Sequence, residues 1–157
     1  MKIDKSAQEV VAALRAVNKT LATAESCTGG GIGYILTSVP GSSAVYLGGV
    51  VSYANSVKEQ VLHVPTDTLS AYGAVSHQTA KAMAEGARSL IKADIAVSVT
   101  GIAGPASDDT NKPVGLVYIG VASEKSTSVY ENHFTGDREQ IRELTIDAAL
   151  RCVLSAI

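Results

Sequence analysis

The sequence predicts an α/β domain built on a mixed, mostly five-stranded sheet with helices on both faces. Three observations predict it. Short apolar runs alternate with stretches whose apolar residues recur at helical spacing over most of the chain. Two later runs, Val114 to Ala122 and Thr127 to Phe134, are separated only by Ser123-Glu124-Lys125-Ser126, which is the spacing of an antiparallel hairpin. Two other runs stop abruptly at glycine-rich turns, at Gly29-Gly30-Gly31 and at Gly101-Ile102-Ala103-Gly104. Alternation followed by a hairpin mixes parallel and antiparallel pairing.

The elements follow in order. Ser6-Ala7-Gln8-Glu9 fits a capping box, and Val10, Leu14 and Val17 share a helical face, so a first helix is expected over Ser6 to Val17. Leu21 to Ala24 reads as a strand, and the glycine turn leads into a helix ending near Thr37. Tyr46 to Tyr53, rich in Val and Gly, reads as a buried strand. Asn55 is placed to cap a helix carrying Val57, Val61 and Leu62, which Pro65 terminates. A short helix over Thr66 to Tyr72 closes at Gly73. Ser76 opens a longer helix with Ala80, Met83, Ala84, Ala87, Leu90 and Ile91 on one side. Ile95 to Thr100 is a strand, and Ala106 to Pro113 a polar loop. The hairpin comes next, then a last helix capped by Asp137 and Gln140 and running to about Ser155.

Composition narrows the function. The chain's 157 residues suffice for one domain, 1–157, and with 46% apolar and 18% charged residues it can bury a core. Thirteen basic against fifteen acidic residues, with no basic block, give no footprint for nucleic acid. No apolar run approaches the ~20 residues of a bilayer span, and no signal-peptide core opens the chain, so no membrane partner is expected. Cys27 and Cys152 are too few for a disulfide framework and suggest a reducing compartment. Without a C-x-x-C pair or a His pair at ligand spacing, no metal is expected, and no cofactor motif is present.

The chemistry concentrates where strands end, which is where open α/β sheets bind ligands. Thr23-Ala24-Glu25-Ser26-Cys27-Thr28-Gly29-Gly30-Gly31 places reactive side chains at a helix start, whose N–H groups have no internal partners and favour negative charge. Ser26 is either an attacking hydroxyl or a capping residue. The hydrolase elbow G-x-S-x-G does not fit, because Ala24 holds the leading glycine position. A serine nucleophile needs a base. His63, His77 and His133 read as ordinary histidines, and Lys58 is the better candidate. A free lysine, with a pKa of ~10.4, is less than ~0.1% neutral at pH 7, so a lysine base must be desolvated or set in positive potential such as a helix start. Tyr53 would bond the ammonium or relay a proton, although a solvated helix face also accounts for Lys58. Tyr53 and Lys58 are one residue too far apart for the Tyr-x3-Lys of a short-chain dehydrogenase. The second turn, Thr100-Gly101-Ile102-Ala103-Gly104, has the composition of an anion nest, and Arg138 could pair with a phosphate or decorate a helix start.

Four segments together resemble one family: Ala24-Glu25-Ser26-Cys27-Thr28-Gly29-Gly30; Val51-Ser52-Tyr53-Ala54-Asn55 with Lys58; Val99 to Pro105 with Lys112-Pro113-Val114-Gly115; and Phe134-Thr135-Gly136-Asp137-Arg138. In this order and spacing they resemble the C-terminal domain family of the competence/damage-inducible protein CinA, which includes nicotinamide-nucleotide amidohydrolases. The resemblance implies a three-layer α/β/α sandwich, cytoplasmic pyridine-nucleotide salvage, self-association into a homo-oligomer, and a small-molecule nucleotide substrate. It implies hydrolysis of the carboxamide of nicotinamide mononucleotide, with Ser26 as nucleophile, Lys58 as base and Tyr53 assisting. Glu25, Cys27, Thr28, Gly29, Gly30 and Asn55, with Thr100, Gly101, Ile102, Ala103, Gly104 and Arg138, would hold the substrate. The chain opens directly on its first helix and so looks like the stand-alone form. One departure stands out: Ser107-Asp108-Asp109-Thr110 replaces the glycine pair that relatives often carry after Gly-Pro, which leaves a nucleotide-binding module or a hydrolase of another small amide open.

Overall fold

The computed structural model describes residues 2–107 and 110–157; Asp108 and Asp109, singled out above, lie outside the described residues. Its elements are α1 (Lys2–Val17), β1 (Leu21–Glu25), α2 (Gly31–Thr37), a 3-10 turn (Ser42–Ala44), β2 (Tyr46–Val51), α3 (Asn55–Gln60), α4 (Thr66–Tyr72), α5 (His77–Ile91), β3 (Ile95–Gly101), β4 (Leu116–Ala122), β5 (Thr127–His133) and α6 (Arg138–Ala156). The five strands form one sheet in the order β2-β1-β3-β4-β5. β1 runs parallel to β2 and β3, and β3, β4 and β5 pair antiparallel, so the sheet is mixed as the sequence predicts.

Side-chain alternation assigns the layers. Leu21, Val97, Val99, Val117, Ile119 and Val121 face one way and pack with Val10, Leu14, Ile32, Leu36, Ile141, Leu150 and Val153 of α1, α2 and α6. Ala22, Ala24 and Ala96 face the other way, against Met83 and Ala87 of α5 and Leu62 and Leu69 beside it. This second interface is built from small residues because α5 lies close to the strands. Ser98 Oγ donates to the Ala80 carbonyl at 2.6 Å. A Cβ on Gly120 would come within 2.7 Å of that same oxygen, so glycine is what the approach allows. The result is a three-layer α/β/α sandwich.

Several local expectations are corrected. α1 begins at Lys2, and Ser6 is not its cap: Ser6 is buried inside the helix and donates to Asp147 of α6 at 2.7 Å. The interhelix bond outcompetes the local box because both groups are buried. β2 is an edge strand with alternating half-buried and exposed residues, not a buried one, and it stops at Val51. Its glycines let it lie against Thr23 of β1 rather than beneath a helix. Asn55 is the first helical residue of α3, and the N-cap is Ala54, with no side-chain bond. Leu90 is largely exposed at the end of α5, beyond the reach of the sheet. The other two caps form as expected: Ser76 Oγ accepts from Thr79 N, and Asp137 with Gln140 closes a full capping box on α6.

Candidate active site

β1 ends at Glu25, and Ser26 follows at the mouth of the first glycine turn. Ser26 N donates to the Val99 carbonyl of β3 at 3.1 Å, and Gly29 N closes the turn on the Ser26 carbonyl at 3.0 Å. Gly29 and Gly30 take φ of +59° and +98°, the left-handed region in which a side chain is strained. Gly30 is the N-cap of α2 and supplies no side chain. The cap is Glu25 instead. Its carboxylate, 2% exposed, accepts from Thr28 Oγ1 at 2.6 Å, Ile32 N at 2.8 Å and Gly33 N at 3.0 Å. Those two N–H groups belong to the unpaired first turn of α2, where a negative charge is favoured. Ser26 is therefore released from capping.

Ser26 Oγ faces Lys58. The Lys58 Nζ lies 3.1 Å from Ser26 Oγ, 2.7 Å from the Ser52 carbonyl and 3.1 Å from the Tyr53 carbonyl. An ammonium donates to all three. A neutral amine donates to the two carbonyls and turns its lone pair towards the serine hydroxyl. The carbonyls are fixed because Ser52 N is bonded to the Glu25 carbonyl at 2.7 Å, tying the end of β2 to the end of β1. Lys58 is 1% exposed, and burial pulls its pKa from the usual lysine range down to about 8. The cause is desolvation rather than the helix start that the sequence suggests. Cys27, next to the serine, goes the other way: burial pushes its thiol up to about 12, so it is protonated at neutral pH.

Ser26, Cys27, Tyr53 and Lys58 share one cleft of about 180 Å³ with Ala74, Val75, Thr100, Gly101, Ala103 and Arg138. The Tyr53 phenol does not reach the lysine. It sits at the exposed rim, 3.3 Å from Arg138 Nη2, while Arg138 Nη1 donates to the Gly104 carbonyl at 2.6 Å. Glu25 and Thr28 lie beneath the turn, outside the cleft lining, and Asn55 is exposed at the start of α3. The second turn is less open than its composition suggests. Thr100 Oγ1 donates to the Ala74 carbonyl at 2.7 Å, Ile102 N donates to the Leu116 carbonyl at 3.0 Å, and the Ile102 side chain packs with Val75 and Leu116.

Two residues given no site role from sequence support the cleft, although Lys112 stands in one of the four family segments. Arg142, one helical turn beyond Arg138, donates Nε to the Cys27 carbonyl and Nη2 to the Thr28 carbonyl, both at 3.1 Å. Its i, i+4 spacing from Arg138 was the available signal. Lys112 Nζ donates to the Tyr72 and Val75 carbonyls at 2.7 and 2.5 Å, fixing the α4–α5 connection that supplies Ala74 and Val75. A larger depression, of about 640 Å³, lies by Lys2, Gly136, Leu144 and Asp147. Lys2 and Asp147 there pair at 3.5 Å, and among the described residues its one lining hydroxyl, on Thr135, is not bonded to an amine or imidazole. The smaller cleft is therefore the chemical candidate. Among the described residues no group of three His, Cys, Asp or Glu could hold a metal ion, and no helix is long and apolar enough to cross a membrane.

Comparison with known proteins agrees with this architecture. The putative competence-damage inducible protein of Thermoanaerobacter pseudethanolicus is 49% identical over 151 residues, covering 96% of this chain and 37% of that protein. A CinA-like protein of Synechococcus sp. (strain RCC307) is 49% identical over 150 residues, covering 94% of this chain and 36% of that protein. The chain thus spans about a third of the length of the curated relatives it matches. The crystal structure of the competence/damage inducible protein CihA from Agrobacterium tumefaciens superposes with a TM-score of 0.95 at 39% identity, covering 99% of this chain and 95% of that one. A CinA superfamily protein from Escherichia coli gives 0.96 at 30% identity, covering 99% and 90%. Residues 3–157 match the family profile of the CinA C-terminal domain. The chain belongs to the CinA C-terminal domain family.

Proposed function

We propose that this domain is a Ser–Lys amidohydrolase that converts nicotinamide mononucleotide and water to nicotinate mononucleotide and ammonia. The observation that carries the reading is the buried Lys58 amine 3.1 Å from Ser26 Oγ, with its remaining N–H bonds committed to two fixed carbonyls. With a pKa of about 8, roughly a tenth of the lysine is neutral at pH 7. Neutral Lys58 takes the Ser26 proton as Oγ attacks the carboxamide carbon. The carbonyl electrons move onto oxygen, where N–H groups of the Cys27–Gly30 turn stabilise the charge; one such donor is typically worth about 2.7–4 kcal/mol. Lys58 then returns the proton to the nitrogen that leaves as ammonia. Water attacks the acyl-enzyme, gives its proton to Lys58, and the serine is restored as the carboxylate departs. No step calls for a metal or a redox partner.

The cleft's size bears on how substrate sits. At about 180 Å³ it is smaller than the ~300–1,000 Å³ of pockets that enclose a whole ligand. It would receive the pyridine carboxamide, leaving the ribosyl phosphate to run out past the Tyr53–Arg138 rim and the Ala103–Gly104 turn.

Ammonia release from nicotinamide mononucleotide, other pyridine nucleotides and simple amides tests the reading. Ser26→Ala and Lys58→Ala should each lower kcat by about 10³-fold or more with the fold intact. Loss on Cys27→Ala with activity kept by Ser26→Ala would move the nucleophile to sulfur. Tight nucleotide binding with no turnover by the unmodified protein would make the domain a binding module instead.

A further inference from the structure

The first turn is gripped from two sides, and only one grip is explained by helix capping. Glu25 holds the N–H groups that begin α2. Arg142 reaches across from α6 to hold two successive carbonyls, those of Cys27 and Thr28. A peptide unit is planar and trans, so its carbonyl and N–H point in opposite directions. Drawing the Cys27 carbonyl towards Arg142 turns the N–H of Thr28 away from it. The preceding peptide is fixed in the same sense, because the Ser26 carbonyl accepts from Gly29 N and the Cys27 N–H points the other way. Among the described residues the Cys27, Thr28 and Gly30 N–H groups donate to no other residue, the Cys27 N–H lying against its own thiol, whereas the Ser26, Gly29, Gly31, Ile32 and Gly33 N–H groups all do. Cys27 lines the cleft beside the Ser26 hydroxyl.

We infer that Arg142 is the positioning residue for the oxyanion site: its guanidinium sets the Cys27–Thr28 backbone so that the N–H of Cys27, the residue of that pair that lines the cleft, is presented to the charge that develops next to Ser26. This rests on the Ser26–Lys58 hydrolase reading. Arg142 touches no reacting atom; it acts through the peptide it holds. The guanidinium suits the task because it stays charged and offers donors in a rigid fork, matching two carbonyls at once, whereas an ammonium is a point charge. Its charge also polarises the peptide it binds, which strengthens the N–H on the far side.

The test uses the full chain, three Arg142 variants and Lys58→Ala as a control. Arg142→Met keeps the stem and removes the fork, and with nicotinamide mononucleotide its kcat should fall about 10²–10³-fold, the loss typical of a removed oxyanion donor. KM should move less than about threefold, because an interaction made only in the transition state leaves ground-state binding alone. The midpoint of the pH–rate profile should stay at the wild-type value, since the Ser26–Lys58 pair is untouched. Arg142→Lys should recover part of the loss, and ethylguanidinium in the buffer should rescue Arg142→Ala but not Lys58→Ala. Independently of turnover, the backbone amide resonances of Cys27 and Thr28 should shift in Arg142→Met while those of β3 and β4 stay in place.

Wild-type kcat in Arg142→Met, a loss carried entirely by KM, or unmoved Cys27 and Thr28 resonances would each overturn the inference. If Arg142→Met fails to fold, Arg142→Lys is read by the same measures. If the wild-type protein releases no ammonia from any amide, the hydrolase reading fails by itself. The two amide resonances then decide whether Arg142 sets that backbone.

Discussion

The chain carries two glycine turns at the carboxyl ends of neighbouring parallel strands, and they are built on opposite principles. The turn after β1 leaves backbone N–H groups of Cys27 and Thr28 bonded to no other described residue and is held from behind by side chains, Glu25 on the N–H groups of α2 and Arg142 on two carbonyls. The turn after β3 commits more of its polar groups to the surrounding fold. Thr100 Oγ1 bonds to Ala74, Ile102 N to Leu116 and the Gly104 carbonyl to Arg138. Similar composition thus yields one turn able to meet a ligand and another that serves as a wall. What separates them is where the supporting bonds come from. The first turn has carboxylate and guanidinium side chains gripping it from both sides; the second is tied to β4 through Ile102, to Ala74 through Thr100 and to α6 through Arg138.

Removing the anchor of the first turn should therefore break the contrast most severely. Glu25 accepts three bonds in a site closed to water. Glu25→Ala strands those donors, and hydrogen bonds to a charged group are worth about 1.5–3 kcal/mol each, so we expect a loss of about 3–5 kcal/mol in urea unfolding at unchanged m. Ammonia release should fall with it. Glu25→Gln keeps the shape and loses one acceptor to an NH2 group, so about 1–2 kcal/mol should go. A Glu25→Ala protein as stable as wild type would mean that the carboxylate is not what holds the turn.

The next effect is on pH, and it belongs to the first turn alone. With Lys58 at about 8, kcat/KM should fall tenfold per unit below that pH, about a hundredfold by pH 6, and level off above it. Stability carries the same signature. Below pH 8 folded and unfolded chains both hold the lysine proton, so its contribution is constant. Between about 8 and the unfolded value of ~10.4 the unfolded chain binds more protons, and stability rises with pH. Lys58→Met lacks this term. The difference in unfolding free energy between wild type and Lys58→Met should therefore move in favour of wild type from pH 8 to 10. A flat difference would leave Lys58 with an ordinary pKa and no capacity to act as base at neutral pH.

Much of the fold was legible in the sequence but the contrast between the two turns was not, and the illegible part has a common cause. The order of helices and strands, the Ser76 and Asp137 caps and the hairpin follow from local patterning. Ser26 and Lys58, separated by 32 positions, meet as their motifs suggest. What local pattern does not encode is which partner a polar group chooses across the fold. Ser6 looks like a cap and instead bonds to Asp147, 141 positions away. Tyr53 looks like a proton relay and contributes its carbonyl, with the phenol turned to Arg138. Arg142 carries no signal beyond its spacing, because its partners are carbonyls, and every residue has one. The edge position of β2 is likewise set by strand order, which a run of Val and Gly leaves undetermined.

The smallest expected effect comes from the second turn. Thr100 is 1% exposed and its hydroxyl makes one bond, to the carbonyl of Ala74 on the cleft wall. Thr100→Val removes that neutral bond and leaves a half-buried carbonyl with one partner fewer, a change worth about 1 kcal/mol of stability. Because the bond positions a wall rather than a reacting group, the kinetic change should appear in KM, by less than about tenfold, with kcat and the pH midpoint held. Steady-state kinetics on Thr100→Val beside Arg142→Met compares the two turns directly. If Thr100→Val lowers kcat as far as Arg142→Met does, the second turn also acts on the transition state, and the division between a presenting turn and a wall fails.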